Sequence, residues 1–134
     1  MASFELHERL AQDCIFVKDL RLCRLLLMND STFPWCLLVP MRNAVREIYE
    51  LTNEDQILLM RESSLLSVAM MEYFQGEKMN VAALGNIVPQ LHVHHIVRRS
   101  DDSAWPNPVW GYGNGQEYSE EKANEISAWL HKNL

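Results

Sequence analysis

Residues 80–99 of the chain read NVAALGNIVPQLHVHHIVRR and hold three of its five histidines. In a β-strand, side chains two positions apart point to the same face, about 7 Å from each other. Gln90, His92 and His94 are therefore expected to line one face of a strand over residues 89–97. The opposite face is mostly apolar and looks like the core side, so His95, which lies on it, is interpreted as a structural histidine. An amide and two imidazoles on one polar face need a chemical explanation.

Three explanations of this polar face remain open. The first is a solvent-facing sheet surface, where Lys, Glu or Thr would be more usual than imidazole. The second is part of a zinc site, because two imidazoles on one face are suitable ligands, although the spacing supplies no third one. The third is nucleophilic catalysis at phosphorus, since a neutral imidazole near its unperturbed pKa of about 6.5 is a competent nucleophile. Glycine and asparagine at positions 85 and 86 would let hydrogen-bond donors approach phosphate oxygens.

The composition is that of a soluble globular protein. The length of 134 residues predicts a single domain over residues 1–134, of which 48% are apolar and 22% charged. The formal net charge of −6 argues against nonspecific binding to duplex nucleic acid or anionic membranes, which requires a basic face. Three cysteines without CxxC spacing, each in an apolar stretch, indicate reduced, buried thiols. With no signal peptide and no apolar run of ~20 residues, we expect a cytoplasmic protein.

The periodicity of apolar residues predicts an α+β fold. Strands are expected over residues 14–19, 21–29, 33–40, 79–84 and 89–97. Helices are expected over residues 3–12 with a Ser3 cap, from about Asn53 to Phe74, and from Ser119 onward. In the long helix the apolar positions at helical spacing are Ile57, Met60, Val68 and Met71. Consecutive strands with short links favour an antiparallel five-stranded meander sheet, with the long helix on one face and a C-terminal helix.

The stretch over residues 80–99 resembles the signature of the histidine-triad (HIT) superfamily of nucleotide hydrolases and transferases. That signature is a glycine-glutamine turn, then V-P-H-x-H-x-H, and an I-P-R-like tail. The residues at the corresponding positions are Gly85, Asn86, Val88, Pro89, Gln90, His92, His94, Ile96 and Arg98. The chain departs from the pattern chiefly at the first triad position, where Gln90 stands in place of histidine.

The resemblance implies roles for individual side chains. His92 matches the middle histidine, which in the family attacks the α-phosphorus and forms a nucleotidyl-histidine that water or another acceptor resolves. His94 would hydrogen-bond the phosphate or the leaving group. Gln90 completes the catalytic set but cannot carry a proton at neutral pH, so Gln90→His is expected to raise activity about ten- to a hundredfold. The positions matched to nucleotide contacts are Asn29, Asp30, Asn80, Asn86 and Arg98.

Two functions follow from the resemblance. The first is a hydrolase of dinucleoside polyphosphates or nucleoside phosphoramidates that acts through His92. The alternative is a nucleotide-binding protein with little or no turnover, because the triad is incomplete. The resemblance also implies a homodimer and a small nucleotide ligand, with no nucleic-acid or membrane partner. No cofactor or protein-bound metal is required, although a divalent cation arriving with the substrate is compatible with either function.

Overall fold

The computed structural model describes residues 3–113 and 115–134, and within them the chain forms one five-stranded sheet and three α-helices. The strands are β1 (Cys14–Asp19), β2 (Cys23–Met28), β3 (Trp35–Pro40), β4 (Lys78–Ala82) and β5 (Val93–Arg98). The helices are α1 (Glu8–Asp13), α2 (Asn53–Phe74) and α3 (Glu120–Asn133). A short 3₁₀ turn covers Ile48–Glu50. No helix in the described ranges is long and apolar enough to cross a membrane.

All neighbouring strands pair antiparallel, in the order β1-β2-β3-β5-β4. The first three form a meander, whereas α2 carries the chain from β3 to the far edge, and β5 returns between β3 and β4. The predicted α+β class, with an antiparallel five-stranded sheet, a long helix and a C-terminal helix, is confirmed. Strand β5 is paired on both sides, and all six of its residues are buried because both faces of the sheet are covered here. A side chain carried by β5 is therefore held on a rigid element.

Helix α2 begins and ends where the sequence predicts. The side chain of Thr52 accepts a hydrogen bond from the backbone N–H of Asp55, and Gln75 ends the helix in the left-handed conformation at φ 54°. The face turned to the sheet, however, carries Leu59, Leu66, Ala69 and Met70. The apolar residues Ile57, Met60 and Val68, which supplied the helical pattern in the sequence, lie on the exposed face.

The sheet separates two apolar clusters. One contains the buried face of α2, Ile126 and Leu130 of α3, and the side chains of β5 at odd positions such as Val93 and Val97. The other contains Leu10 of α1, the even-position residue Ile96 and the loop residues Ala104 and Val109. The alternation inferred from the sequence therefore holds along β5 itself. Residues of the second cluster also line the candidate active site described below.

Two boundaries differ from the sequence-based expectation. Strand β5 starts at Val93, so residues 89–92 approach it as irregular chain and their side chains need not alternate. Helix α1 is confined to Glu8–Asp13, and its cap is His7, whose ring accepts from the backbone N–H of Arg9, rather than Ser3. The three cysteines are free thiols; Cys23 and Cys36 are buried and Cys14 is half-buried, in line with reduced thiols.

Candidate active site

A cleft of about 420 Å³ opens on the face of the sheet opposite α2. Its floor comes from the end of β2 and the starts of β3 and β5, and its walls come from α1, the loop before β5 and the loop residue Trp110. Both His92 and His94 line it, with ring centroids 4.9 Å apart. The structure thus brings together the two imidazoles that the sequence places on one face.

His92 is oriented by the backbone two residues before it. Its Nδ1 lies 2.7 Å from the carbonyl oxygen of Gln90. Because a carbonyl oxygen only accepts, Nδ1 carries the hydrogen, and in the neutral ring Nε2 is left with a free lone pair. The residue is 7% exposed and lines the cleft. A buried neutral imidazole with one nitrogen fixed and the other free can act as a nucleophile toward a ligand in the cleft.

His94 is surrounded by indole rings. The Nε1 of Trp35 donates a hydrogen bond of 3.0 Å to His94 Nδ1, and the ring of Trp110 packs edge-on with its centroid 5.1 Å away. Burial, followed by the proximity of His92 and His95, lowers the pKa of His94 from 6.5 to about 4. At neutral pH this ring is therefore uncharged.

The turn before the histidines contributes the polar edge of the cleft. Gly85 adopts φ 75°, a left-handed conformation that favours glycine, and both Gly85 and Asn86 line the cleft. Arg9 and Asp13 of α1, which form an ion pair of 3.1 Å, line the same cleft. The polar edge thus offers an amide, backbone groups and one paired guanidinium within the volume that the imidazoles border.

Gln90, expected beside the two imidazoles, does not line the cleft. Its side-chain oxygen accepts from the backbone N–H of His7 at 2.8 Å, and its side-chain nitrogen donates to the carbonyl oxygen of Glu5 at 2.9 Å. The divergence arises because Gln90 lies before the start of β5, where strand alternation does not apply. Its contribution to the candidate site is the backbone carbonyl that orients His92.

Arg98 and Asn80 do not line the cleft. Arg98 is 1% exposed and pairs with Asp102, with 2.8 Å between Nε and Oδ2. It also donates to the side-chain oxygen of Asn80 at 2.9 Å and to the carbonyl oxygen of Asn107 at 2.8 Å. The hydrogen bond from Arg98 lowers the pKa of the Asp102 carboxyl to about 2. This network ties β5 to β4 and to the loop that carries Trp110.

Asn29 and Asp30 also lie outside the cleft lining. The side-chain oxygen of Asn29 accepts from the backbone N–H of Tyr118 at 3.0 Å. A side-chain oxygen of Asp30 accepts from the backbone N–H of Thr32 at 2.9 Å. Both residues therefore bind backbone, and the nearest cleft residue on β2 is Met28. Of the residues predicted to contact the nucleotide, only Asn86 lines the cleft, and all five contacts remain predictions.

His95 occupies the opposite face of β5, as its place in the alternation implies. Its Nδ1 lies 3.1 Å from the carbonyl oxygen of Val93, and its Nε2 lies 2.7 Å from Oγ of Ser63 on α2. Burial is the main cause that lowers the pKa of His95 from 6.5 to about 4. With both ring nitrogens bonded inside the core, His95 has the environment of a structural histidine.

Several cleft residues were not identified from the sequence. Trp35, Trp110, Arg9 and Leu10 all line the cleft. Trp35 shares a face with Leu37, which pairs with His94 across β3 and β5. The pairing itself could not be read from the sequence, because β3 and β5 are far apart along the chain. Among the described residues, no three His, Cys, Asp or Glu side chains converge in a way that could hold a metal ion.

Comparison with known proteins identifies relatives of the whole chain. Residues 9–101 match the model of the HIT domain. The chain is similar to a histidine triad protein from Marinobacter aquaeolei VT8, with 56% identity over 99% of this chain and 97% of that chain and a TM-score of 0.96. A histidine triad protein from Sinorhizobium meliloti 1021 gives 45% identity over 98% and 97%, with a TM-score of 0.95.

More distant structures share the fold. The diadenosine triphosphate hydrolase of Plasmodium falciparum is 16% identical over 96% of this chain and 78% of that chain, with a TM-score of 0.67. At that identity the likeness is one of fold alone. A search of the curated proteins finds no match.

Proposed function

The chain belongs to the HIT domain family, and we propose that it is a nucleotide-phosphate hydrolase of the dinucleoside polyphosphate or nucleoside phosphoramidate class, acting through a nucleotidyl-histidine on His92. The observation that carries the proposal is the 2.7 Å hydrogen bond between His92 Nδ1 and the Gln90 carbonyl. Because that bond places the hydrogen of the neutral ring on Nδ1, Nε2 of the neutral ring presents a lone pair that can attack phosphorus.

The proposed reaction has two displacements at phosphorus. In the first, Nε2 of His92 forms a bond to the α-phosphorus, and the bond to the leaving group breaks with its electron pair going to that group. In the second, a water oxygen bonds to phosphorus, the N–P bond breaks and its electron pair returns to Nε2, while the water proton passes to solvent. The Gln90 carbonyl, which accepts from Nδ1–H, stabilises the positive charge that the ring carries in the intermediate.

The cleft lining supports a nucleotide as the ligand. Leu10, Met28 and Leu37 provide an apolar wall of the kind that receives a nucleobase. Asn86 and the backbone at Gly85 supply hydrogen-bond donors for phosphate oxygens. The predicted contacts Asn29, Asp30, Asn80 and Arg98 would then act on the nucleotide only by shaping the segments around the cleft.

A second candidate function is a nucleotide-binding protein with little turnover. The observation that favours it is the Gln90 side chain, which is bonded to the N-terminal segment instead of the cleft. Such a protein would bind AMP in the same cleft but would accumulate no covalent intermediate.

The decisive experiment compares His92→Ala with wild type. We expect the variant to lose turnover of an AMP ester or anhydride while AMP affinity stays within about tenfold, or ~1.4 kcal/mol, because the nucleophile acts in the bond-making step. Wild type quenched during turnover should gain the mass of one nucleotidyl group on His92. The matched control is His131→Ala, an exposed histidine on α3, which should behave as wild type. AMP binding without turnover or adduct in wild type would favour the second candidate.

We further propose that the chain forms a homodimer through the outer face of α2 and the edge strand β4. Ile57, Met60, Leu65 and Val68 of α2 are between 58% and 68% exposed, and Val81 of β4 is 50% exposed. His95 contacts α2 through Ser63 and pairs with Val81, so α2 and β4 lie next to each other on this side of the sheet. An apolar helix face beside an unpaired strand edge favours burial against the same surface of a second copy, related by a two-fold axis.

The dimer is tested by placing a charge on that surface. Val68→Glu should dissociate the dimer at micromolar concentration in sedimentation, leaving a particle near the chain mass of 15.6 kDa. Phe16→Glu is the control, because Phe16 is 57% exposed on β1, at the opposite edge of the sheet. A wild-type chain that sediments as a monomer would rule out this part of the proposal.

A further inference from the structure

The hydrogen bond between Trp35 and His94 fixes which nitrogen of His94 carries its hydrogen. The indole N–H can only donate, so His94 Nδ1, at 3.0 Å from it, must be an unprotonated acceptor. The neutral ring then holds its hydrogen on Nε2. In neutral His92, by contrast, Nδ1 faces the Gln90 carbonyl oxygen and therefore carries the hydrogen. The two neighbouring rings therefore have opposite tautomers, one with a free lone pair and one with a free N–H.

The sheet holds the Trp35 indole in place. Trp35 pairs with Ile96 across β3 and β5, which makes it the diagonal neighbour of His94 on the same face. Trp35 and His94 are 9% and 5% exposed, and Trp110 packs against both rings, with centroids 5.8 Å and 5.1 Å away. Water therefore has little access to this donor–acceptor pair, and an indole N–H without its partner would be left unsatisfied.

We propose that Trp35 is a positioning residue that locks His94 as a neutral Nε2–H donor, so that the site favours substrates whose leaving group departs from phosphorus as an anion. The leaving-group part rests on the proposed hydrolase function. Charging His94 would require a hydrogen on Nδ1, which already faces the indole N–H. Its lowered pKa agrees with this geometry. His94 donates a hydrogen bond to an oxygen that gains negative charge, and it does not transfer a proton.

The preference for a leaving group depends on whether that group needs a proton when its bond to phosphorus breaks. When a P–O bond to a phosphate or nucleotide breaks, the oxygen keeps the electron pair and is stable as an anion. When a P–N bond of a phosphoramidate breaks, the amine requires a proton to leave. His92 acts as the nucleophile, and the charged side chains of the cleft lining, Arg9 and Asp13, pair with each other. The structure therefore selects the phosphate-type leaving groups from the two classes.

The tautomer is tested without substrate. Nitrogen-15 spectra of the imidazoles should show His94 with its hydrogen on Nε2 in wild type and a mixture of tautomers in Trp35→Phe, which keeps an aromatic ring but removes the donor. Trp110→Phe is the matched control, since it alters a second indole that touches the same ring without donating to it. Its His94 should keep the wild-type tautomer. A wild-type His94 with the hydrogen on Nδ1, or an unchanged tautomer in Trp35→Phe, would overturn the assignment.

The leaving-group preference is tested with 4-nitrophenyl AMP and the phosphoramidate of AMP with an alkylamine. We expect wild-type kcat/KM for the ester to exceed that for the phosphoramidate at least about a hundredfold, because general acid catalysis, worth about 10²–10⁴, is missing. Trp35→Phe should lower kcat for the ester about tenfold with KM within about threefold. Similar rates on both substrates would refute the preference. If neither is cleaved and no His92 adduct forms, the hydrolase function and the preference both fail, while the tautomer result stands on its own.

Discussion

His94 and His95 stand side by side on β5 and point to opposite faces of the sheet. Both are at most 5% exposed, and burial lowers the pKa of each to about 4. His94 receives the Trp35 N–H on one nitrogen and turns the other toward the cleft side of the sheet, whereas both nitrogens of His95 are bonded within the core. Burial and a lowered pKa are therefore shared by a functional candidate and a structural residue.

The deciding property is which ring nitrogen remains available. His95 binds the Val93 carbonyl through Nδ1 in the same way that His92 binds the Gln90 carbonyl, so the two rings have the same tautomer. In His95 the lone pair on Nε2 is used by the hydroxyl of Ser63, at 2.7 Å. A hydrogen bond from Nδ1 to the carbonyl two residues earlier thus accompanies a candidate nucleophile in His92 and a core hydrogen bond in His95.

The largest expected effect separates His94 from His95 by activity. His94→Ala should lower kcat on an AMP ester about 10²–10³-fold, the range for removing one donor that stabilises developing negative charge. His95→Ala should lower kcat less than about threefold but reduce the free energy of unfolding by about 2–3 kcal/mol, because it leaves a cavity and an unpaired Ser63 hydroxyl. Steady-state kinetics and urea unfolding of both variants give the comparison. An activity loss in His95→Ala as large as in His94→Ala would contradict the division of roles.

The two histidines should contribute similarly to the pH dependence of the free energy of unfolding. Each pKa is lower in the folded chain, about 4, than in the unfolded chain, near 6.5, so the unfolded state takes up a proton first as the pH falls. Their contributions are complete above pH ~6.5 and are lost toward pH ~4. Between pH 7.5 and 5 each should lower the free energy of unfolding by about 2 kcal/mol.

Urea unfolding at the two pH values measures this loss. His95→Gln and His94→Ala should each make the loss of unfolding free energy between pH 7.5 and 5 smaller, and by similar amounts. If one variant leaves the loss between pH 7.5 and 5 unchanged, that histidine is already charged in the folded protein at pH 5, and the equal burial of the pair does not give equal pKa values.

Local rules explain what the sequence revealed of the fold. The bounds of α2 follow from its Thr52 cap and the turn around Gln75, and the faces of His94 and His95 follow from alternation within a paired strand. Fold class was accessible for the same reason, whereas His92, which precedes β5, was identified through the resemblance to the family signature. The apolar residues Ile57, Met60 and Val68 of α2 suggested the wrong buried face. Apolar spacing alone does not show whether a helix face packs against its own core or against a partner.

The rest of the site depends on contacts between distant segments. Trp35 reaches His94 only because β5 inserts beside β3, a pairing that no local pattern specifies. Arg98 pairs with Asp102 and does not line the cleft, although its place in the signature suggested a ligand contact. Gln90 lies before the strand begins, where backbone direction and not alternation decides the side-chain position. These three residues show where one-dimensional periodicity stops being informative.

The smallest expected effect on activity concerns Gln90, the residue that the resemblance matched to the first histidine of the family signature. The sequence alone suggests that Gln90→His raises activity about ten- to a hundredfold. The structure leads to a different expectation, because the Gln90 side chain binds the backbone of Glu5 and His7 and does not line the cleft. A histidine at this position should keep kcat within about threefold of wild type, since the backbone carbonyl that orients His92 is unchanged. It should reduce the free energy of unfolding by about 1–2 kcal/mol, because two hydrogen bonds to the N-terminal segment are lost.

Gln90→Ala is the matched control and should show the same loss of stability with the same kcat. A tenfold or larger rise in kcat for Gln90→His, absent in Gln90→Ala, would show that an imidazole at this position does enter the cleft, and that His92 and His94 work as part of a three-residue set after all.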